Sequence, residues 1–150
     1  MRYTETMATL ERAIALAATY HAGQQQRNGQ PYILHPLHVM QHVPGMSAKM
    51  VAVLHDAIED TDLTLAMLKR EGFADEILHA VDLLTRKDGQ PYDQYLAGLV
   101  GNTLALKVKI EDVRHNLDST RIDKLSDHDV VNLRKYHAAL KWLEQKINTT

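Results

Sequence analysis

The chain is 150 residues long, 45% hydrophobic and 24% charged, with a formal net charge of −2 and no cysteine. That is enough chain for one domain with its own core, and an ordinary globular balance. The slight negative charge provides no basic field for nucleic acid, and the missing thiols exclude both a disulfide framework and thiolate-bound zinc. No uncharged run approaches the roughly 18–20 residues of a membrane span. Met1-Arg2-Tyr3-Thr4-Glu5 leads into an amphipathic segment carrying Glu11 and Arg12, so no secretory signal is expected and the setting read here is cytoplasmic.

In chain order, residues 6–22 are predicted as a first helix, with Leu10, Ala13, Ile14, Ala17 and Ala18 in one stripe and Gly23 to end it. A polar loop follows, containing the turn signal Arg27-Asn28-Gly29. His35-Pro36 opens a second, short helix, with proline in its first turn. After Pro44-Gly45, Ser47 is placed to cap a helix over 48–60. Thr64 caps a short helix that runs to Glu71 and stops at Gly72; further helices are expected over 74–85 and 92–100. Residues 103–117 alternate in polarity over 104–110 as a strand would, but with helical neighbours and no partner strand in sight a helix is predicted. The last helix covers 127–147, with Ser126-Asp127 as cap and first turn. The expectation is an all-α, single-domain helical bundle over 1–150, without repeats or linkers.

One stretch stands out chemically. His55-Asp56-Ala57-Ile58-Glu59-Asp60 ends the apolar run Met50-Val51-Ala52-Val53-Leu54. On a continuous helix Glu59 shares a face with both His55 and Asp56, and Asp60 with Asp56. Acids gathered against a core are costly unless a cation neutralises them, so a metal is the economical explanation. A second His-Asp pair, His128-Asp129, lies at the start of the last helix and reads as structural, which shows that the dipeptide alone is weak. Four residues can converge on one ion: His35, the His55-Asp56 pair and Asp112. Imidazole with carboxylate and no sulfur suits manganese, iron or zinc, with manganese and magnesium gaining as oxygen content rises.

A His, then His-Asp, then a distant Asp resembles the signature of the HD superfamily of metal-dependent phosphohydrolases. His21-Ala22-Gly23-Gln24, Gly29-Gln30-Pro31-Tyr32-Ile33, His35-Pro36, the stretch from His55 to Thr61, Leu84-Thr85, and Lys109-Ile110-Glu111-Asp112 with His115-Asn116 narrow the resemblance. They are similar to the hydrolase domain of the RelA/SpoT proteins and to the stand-alone small alarmone hydrolases, over about residues 8–121. The resemblance implies an all-α HD-type bundle in which His35, His55, Asp56 and Asp112 bind Mn2+ (alternatively Fe2+, Zn2+ or Mg2+). It implies that Glu59 and Asp60 position or deprotonate the attacking water, and that Asn116 holds the nucleotide, with Ser119 at the family's Thr position. The implied reaction removes pyrophosphate from the 3′ position of guanosine tetra- or pentaphosphate, a small phosphorylated nucleotide.

The recognition loop departs from the family pattern. Gln26 stands at the position of the family's guanine-stacking Arg, Arg27 falls one place later, and Asn28 replaces Ser. Asp112-Val113-Arg114-His115-Asn116 displaces another Arg within its motif. Arg27, Lys109 and Arg114 are candidates for phosphate contacts. Two alternatives stand beside the alarmone reading: an HD phosphohydrolase of another nucleotide or phosphate ester, and a nucleotide-binding regulatory domain without turnover.

Overall fold

The computed structural model describes residues 7–149, so the leader reading of residues 1–5 and the expected first helical residue, Thr6, lie outside the described residues. The fold is all-α. In order come α1 (Leu10–Tyr20), α2 (Leu34–Gln41), α3 (Met46–Leu54), α4 (Ala57–Asp60), α5 (Leu65–Glu71), α6 (Asp75–Leu84), α7 (Tyr92–Ala97), α8 (Thr103–Asn116) and α9 (Asp127–Asn148), with a 3-10 turn at Ser119–Arg121 before α9. Among the described residues, extended pairing is limited to one isolated bridge between Gln25 and Pro31, which closes the polar loop. No helix of the described residues is long and apolar enough to cross a membrane.

α3 is the axis of the molecule. Val51, Ala52, Val53 and Leu54 are all fully buried, so the helix is covered on every side rather than along one stripe. It packs against α1, α2, α6 and α8. α1 meets it through Ala13, Leu16 and Ala17, and the two alanines let the backbones approach closely. α9 lies on α8 and closes that side with Ala139, Leu140 and Leu143. The buried apolar residues form one continuous cluster running from Ala13 to Leu143.

Among the described residues, side-chain caps open four of the nine α-helices. Thr9 accepts from the Arg12 amide at α1, Thr64 from Met67 at α5, and Asn102 from Ala105 at α8. Gly72 ends α5 in the left-handed conformation at φ +96°. Ser126 and Asp129 cap α9 reciprocally, each side chain taking the other's backbone N–H. The alternating stretch 104–110 is helical, inside α8.

The helix expected over 48–60 is not continuous. It starts earlier, at Met46, behind Gly45 at φ +86°; Ser47 does not cap it, and its hydroxyl donates instead to Glu76 Oε1 at 3.1 Å. It also ends early, at Leu54, and resumes as the single turn α4. The cause is local. His55 Nδ1 donates to the Ala52 carbonyl at 2.5 Å, taking the acceptor that the Asp56 amide would use in an unbroken helix. The chain therefore turns at the His-Asp pair, and the acids of α4 are aimed by that turn and not by the i, i+4 spacing of one helix.

Candidate metal centre

Three separate elements deliver the cluster. His35 comes from the first turn of α2, His55 and Asp56 from the break after α3, and Asp112 from the third turn of α8. His35, His55 and Asp112 are 2–4% exposed, which is burial that a carboxylate and two imidazoles reach only when they satisfy one another or an ion. His35 Nε2 lies 2.8 Å from Asp112 Oδ1 and 3.7 Å from Asp56 Oδ2. His55 Nε2 lies 3.0 Å from Asp56 Oδ2 and 3.4 Å from Asp112 Oδ1. Neither of those His55 distances has hydrogen-bond geometry, so the buried Nε2 is left without a partner.

This arrangement fits a metal ion. The four residues each offer one ligand atom, and those atoms all lie within 4.8 Å of one another. Ligands held at about 2.0–2.2 Å from a common ion are separated by roughly 3–4 Å. The orphaned His55 Nε2 is a donor atom aimed at such a point, and the bond from its Nδ1 to Ala52 fixes the ring and leaves Nε2 free to bind.

The electrostatics agree. Burial opposes the charge on His55, yet the Asp56 and Asp112 carboxylates hold it well above the ordinary histidine range. Burial also opposes the anion at Asp56, but His55 outweighs it and brings the carboxyl to about 2. Asp112 is likewise held well below its usual range, against burial, by Lys109 and the two imidazoles. The pocket thus demands positive charge. Lys109 supplies some of it, with Nζ donating to Asp112 Oδ2 at 2.8 Å, and Tyr32 donates its hydroxyl to Asp56 Oδ2 at 2.6 Å.

Glu59 and Asp60 sit beside this cluster at the mouth, and Asp56, Glu59 and Asp60 form a second trio with ligand atoms within 4.8 Å. The Arg86 amide donates to Glu59 Oε1 at 2.8 Å, leaving Oε2 uncommitted. Partial burial, then the neighbouring acids, raise both carboxyls above their ordinary values. A cleft of about 430 Å³ opens over both groups, within the size range of small-molecule sites.

Of the predicted substrate contacts, Gln26, Arg27, Lys109 and Asn116 line this cleft. Asn116 Nδ2 donates to Asp112 Oδ1 at 3.4 Å. Asn28 does not line it; its Oδ1 accepts from the Gln30 amide and closes the loop turn. Ser119 lies on the exposed 3-10 turn, facing a separate depression with Leu133 and His137. Arg114 points outward to Glu111 at 2.6 Å, because α8 buries Asp112 and Val113 and therefore exposes Arg114. His38 and His42 stack on each other with ring centres 4.1 Å apart, outside the donor set.

The structure adds groups that sequence reasoning missed. Arg121 lines the cleft opposite Gln26, from a segment with no periodicity to draw the eye. Asp129, read only as a helix-start acid, also pairs with Arg27 at 2.7 Å. Tyr32 was visible inside the Gly29–Ile33 motif, but nothing in the sequence gave it a partner. His115 was visible beside Asn116, and its Nδ1 now lies 2.7 Å from Nδ1 of His35.

Fold and site together define an all-α domain of the HD type with a candidate divalent-metal cluster. Comparison with known proteins gives its relatives. The chain is 34% identical over 128 residues to a probable GTP pyrophosphokinase of Mycobacterium leprae, covering 77% of this chain and 16% of that protein. It is 33% identical over 126 residues to a guanosine-3′,5′-bis(diphosphate) 3′-pyrophosphohydrolase of Haemophilus influenzae, covering 73% and 19%. The chain thus spans less than a fifth of the length of these curated relatives. A solved structure of a metazoan SpoT orthologue, described as hydrolysing ppGpp, superposes with a TM-score of 0.74 over 97% of this chain and 95% of that one, at 18% identity. No family model matches the chain. The chain is a relative of the RelA/SpoT proteins and has the fold of a helical ppGpp hydrolase.

Proposed function

We propose that the chain, as one HD-type domain, is a metal-dependent phosphohydrolase that removes pyrophosphate from the 3′ position of guanosine tetra- or pentaphosphate. The observation that carries this reading is the convergence of four donors, three of them buried, from three elements beneath a cleft whose mouth holds two further carboxylates with raised pKa values. The curated names of the relatives support the substrate class. The setting proposed is the cytoplasm, and the partner a free nucleotide.

His35, His55, Asp56 and Asp112 would hold the ion, and two nitrogens with two carboxylates favour manganese, with iron, zinc or magnesium as alternatives. When bound, a divalent ion polarises a phosphoryl oxygen and lowers the pKa of water toward neutrality. The protein's own part is positioning and proton transfer. Glu59 takes the proton of the attacking water on Oε2, since Oε1 is occupied by the Arg86 amide. Asp60 orients that water, and the water oxygen bonds to the phosphorus attached at the 3′ position as the P–O3′ bond breaks. The proton taken by Glu59 passes to the departing 3′ oxygen, so that pyrophosphate and a 3′ hydroxyl are released. Lys109, buried against Asp112, keeps that carboxylate ionised.

The test pairs two variants. Asp56→Ala is expected to lose both metal binding, measured calorimetrically, and pyrophosphate release. Glu59→Gln is expected to keep the metal and lose turnover by roughly 10²–10⁴-fold. Full activity in both variants overturns the reading. A second reading, hydrolysis of a different nucleotide, is favoured by Gln26, whose side chain is engaged by Arg121 and cannot act as the family's stacking guanidinium. A panel of nucleotides with manganese separates the two.

A further inference from the structure

Among the described residues three cations line the cleft, and two are committed. Arg27 pairs with Asp129 at 2.7 Å and Lys109 with Asp112 at 2.8 Å. Arg121 differs. Among the described residues it has no carboxylate at ion-pair distance, and its partners are all neutral. Nη1 donates to the His115 carbonyl at 3.0 Å and to Asn116 Oδ1 at 3.5 Å, and Nη2 donates to Gln26 Oε1. The side chain is half-buried, and that burial works against its charge.

A guanidinium has five N–H donors, and these contacts leave Nε–H and one Nη2–H uncommitted. Such a pair matches two oxygens of one phosphate. Asp118 and Asp112 act on this guanidinium only from beyond ion-pair distance and do not make up for its burial, so an arriving anion is favoured beside it. The location is close to the reacting end. Asn116 touches Arg121 on one side and Asp112 on the other, so a group held by Arg121 lies one side chain away from the metal cluster.

We propose that Arg121, oriented by Gln26 and the His115 carbonyl, is the side chain that anchors the phosphate of the substrate that is not attacked. This deepens the phosphohydrolase reading and rests on it for the identity of the attacked group. It also gives Gln26 a role: the loop position without a guanidinium positions one that comes from the segment before α9. Gln26 is a positioning residue here, and Arg121 the binding group.

Binding is measured on chelator-treated protein, where no turnover occurs, with guanosine 3′,5′-bisphosphate, guanosine 3′-monophosphate and guanosine as probes. The wild-type chain is expected to prefer the bisphosphate over the monophosphate by roughly tenfold or more, the worth of a charge-assisted contact. Arg121→Gln erases that preference, and Arg121→Lys keeps part of it. Gln26→Arg sets two guanidinium groups against each other and weakens bisphosphate binding, while the exchange Gln26→Arg with Arg121→Gln recovers it. With metal restored, KM for guanosine tetraphosphate in Arg121→Gln rises by a larger factor than kcat falls. An unchanged preference in Arg121→Gln overturns the proposal, as does an equal loss of guanosine itself, which would make Arg121 a base contact. Failure of the wild type to discriminate between the two phosphorylated probes overturns it too. A preserved bisphosphate preference with no pyrophosphate release would instead sink the hydrolase reading and leave the anchor standing.

Discussion

Glu59 shows at the scale of one residue how the site sets its own chemistry. Partial burial, with Asp60 and Asp56 nearby, raises its carboxyl above the ordinary glutamate range, and the Arg86 amide opposes this only in part. In the proposed role of base Glu59 works when deprotonated, so turnover should climb as pH rises through that raised value, and Glu59→Gln should remove this limb from the pH–rate profile. The same shift has a stability consequence of definite sign. A folded-state pKa above the unfolded one favours the fold below the ordinary glutamate value and loses that contribution as pH rises through the raised one. Glu59→Gln should therefore melt with the wild type near pH 4 and above it at pH 7, in scanning calorimetry of the metal-free chain. Asp56 has the opposite sign. Its carboxyl is depressed to about 2, so its contribution is present above the ordinary aspartate value and lost as pH falls toward 2. Residues of this kind were legible in the sequence because His, Asp and Glu clustered against an apolar run need a reason. Arg121 was not, since an arginine in an aperiodic segment is usually solvated, and only the folded chain sets it against Gln26.

Elements, rather than residues, decide where those groups point. The sequence reading placed Glu59 and Asp60 on the face of His55 and Asp56 by helical spacing. The actual device is a broken helix, with the His55 ring holding the Ala52 carbonyl. Periodicity could not reveal that break, because no glycine or proline marks it. α2 and α8 interact through a different contact, the 2.7 Å approach of His115 to His35. Burial, then Arg121 and His35, push His115 down to about 3, so its ring is neutral near pH 7 and its Nδ1 can accept a hydrogen bond from Nδ1–H of His35. On the proposed ligand set that contact orients His35, and His115→Ala should weaken metal affinity by roughly 10–100-fold, read by competition with a metallochromic chelator, while His115→Asn recovers part of it. At the other end of the cleft, α9 begins with an acid serving two elements. Asp129 closes the capping box with Ser126 and pairs with Arg27 of the polar loop. The cap was readable from Ser126-Asp127 and its spacing, whereas the partner 102 positions away was not. Asp129→Ala should lower the urea unfolding midpoint and loosen the Arg27 loop; an unchanged midpoint would remove the capping box from the account.

At the scale of the whole molecule, the centre is a joint between parts distant in sequence. His35 on α2 and Asp112 on α8 are separated by 77 positions and meet over the end of α3, the most deeply buried helix. The all-α class could be read from helical stripes and caps, because the stripes are local and α1, α5, α8 and α9 carry their own capping side chains. The closure of α2 and α8 around α3 could not, since the chain offers only residue types that would be unstable together without an ion. On the proposed ligand set metal binding and folding are linked: an ion held by all three elements would bind the folded chain and have little affinity for the unfolded one. Saturation at about 100 times the dissociation constant should then add about 2.7 kcal/mol. For a chain of this size that is a rise in Tm of roughly 5–10 °C. Manganese titrated into chelator-treated protein should produce the rise, and its logarithmic dependence on ion concentration separates linkage from nonspecific salt effects. Asp112→Ala should abolish it, because that substitution removes the one ligand contributed by α8 and so uncouples α8 from the ion. A Tm that climbs equally in Asp112→Ala would mean that the ion binds elsewhere, for instance at the Asp56, Glu59 and Asp60 trio, where Glu59→Gln should then reduce the response.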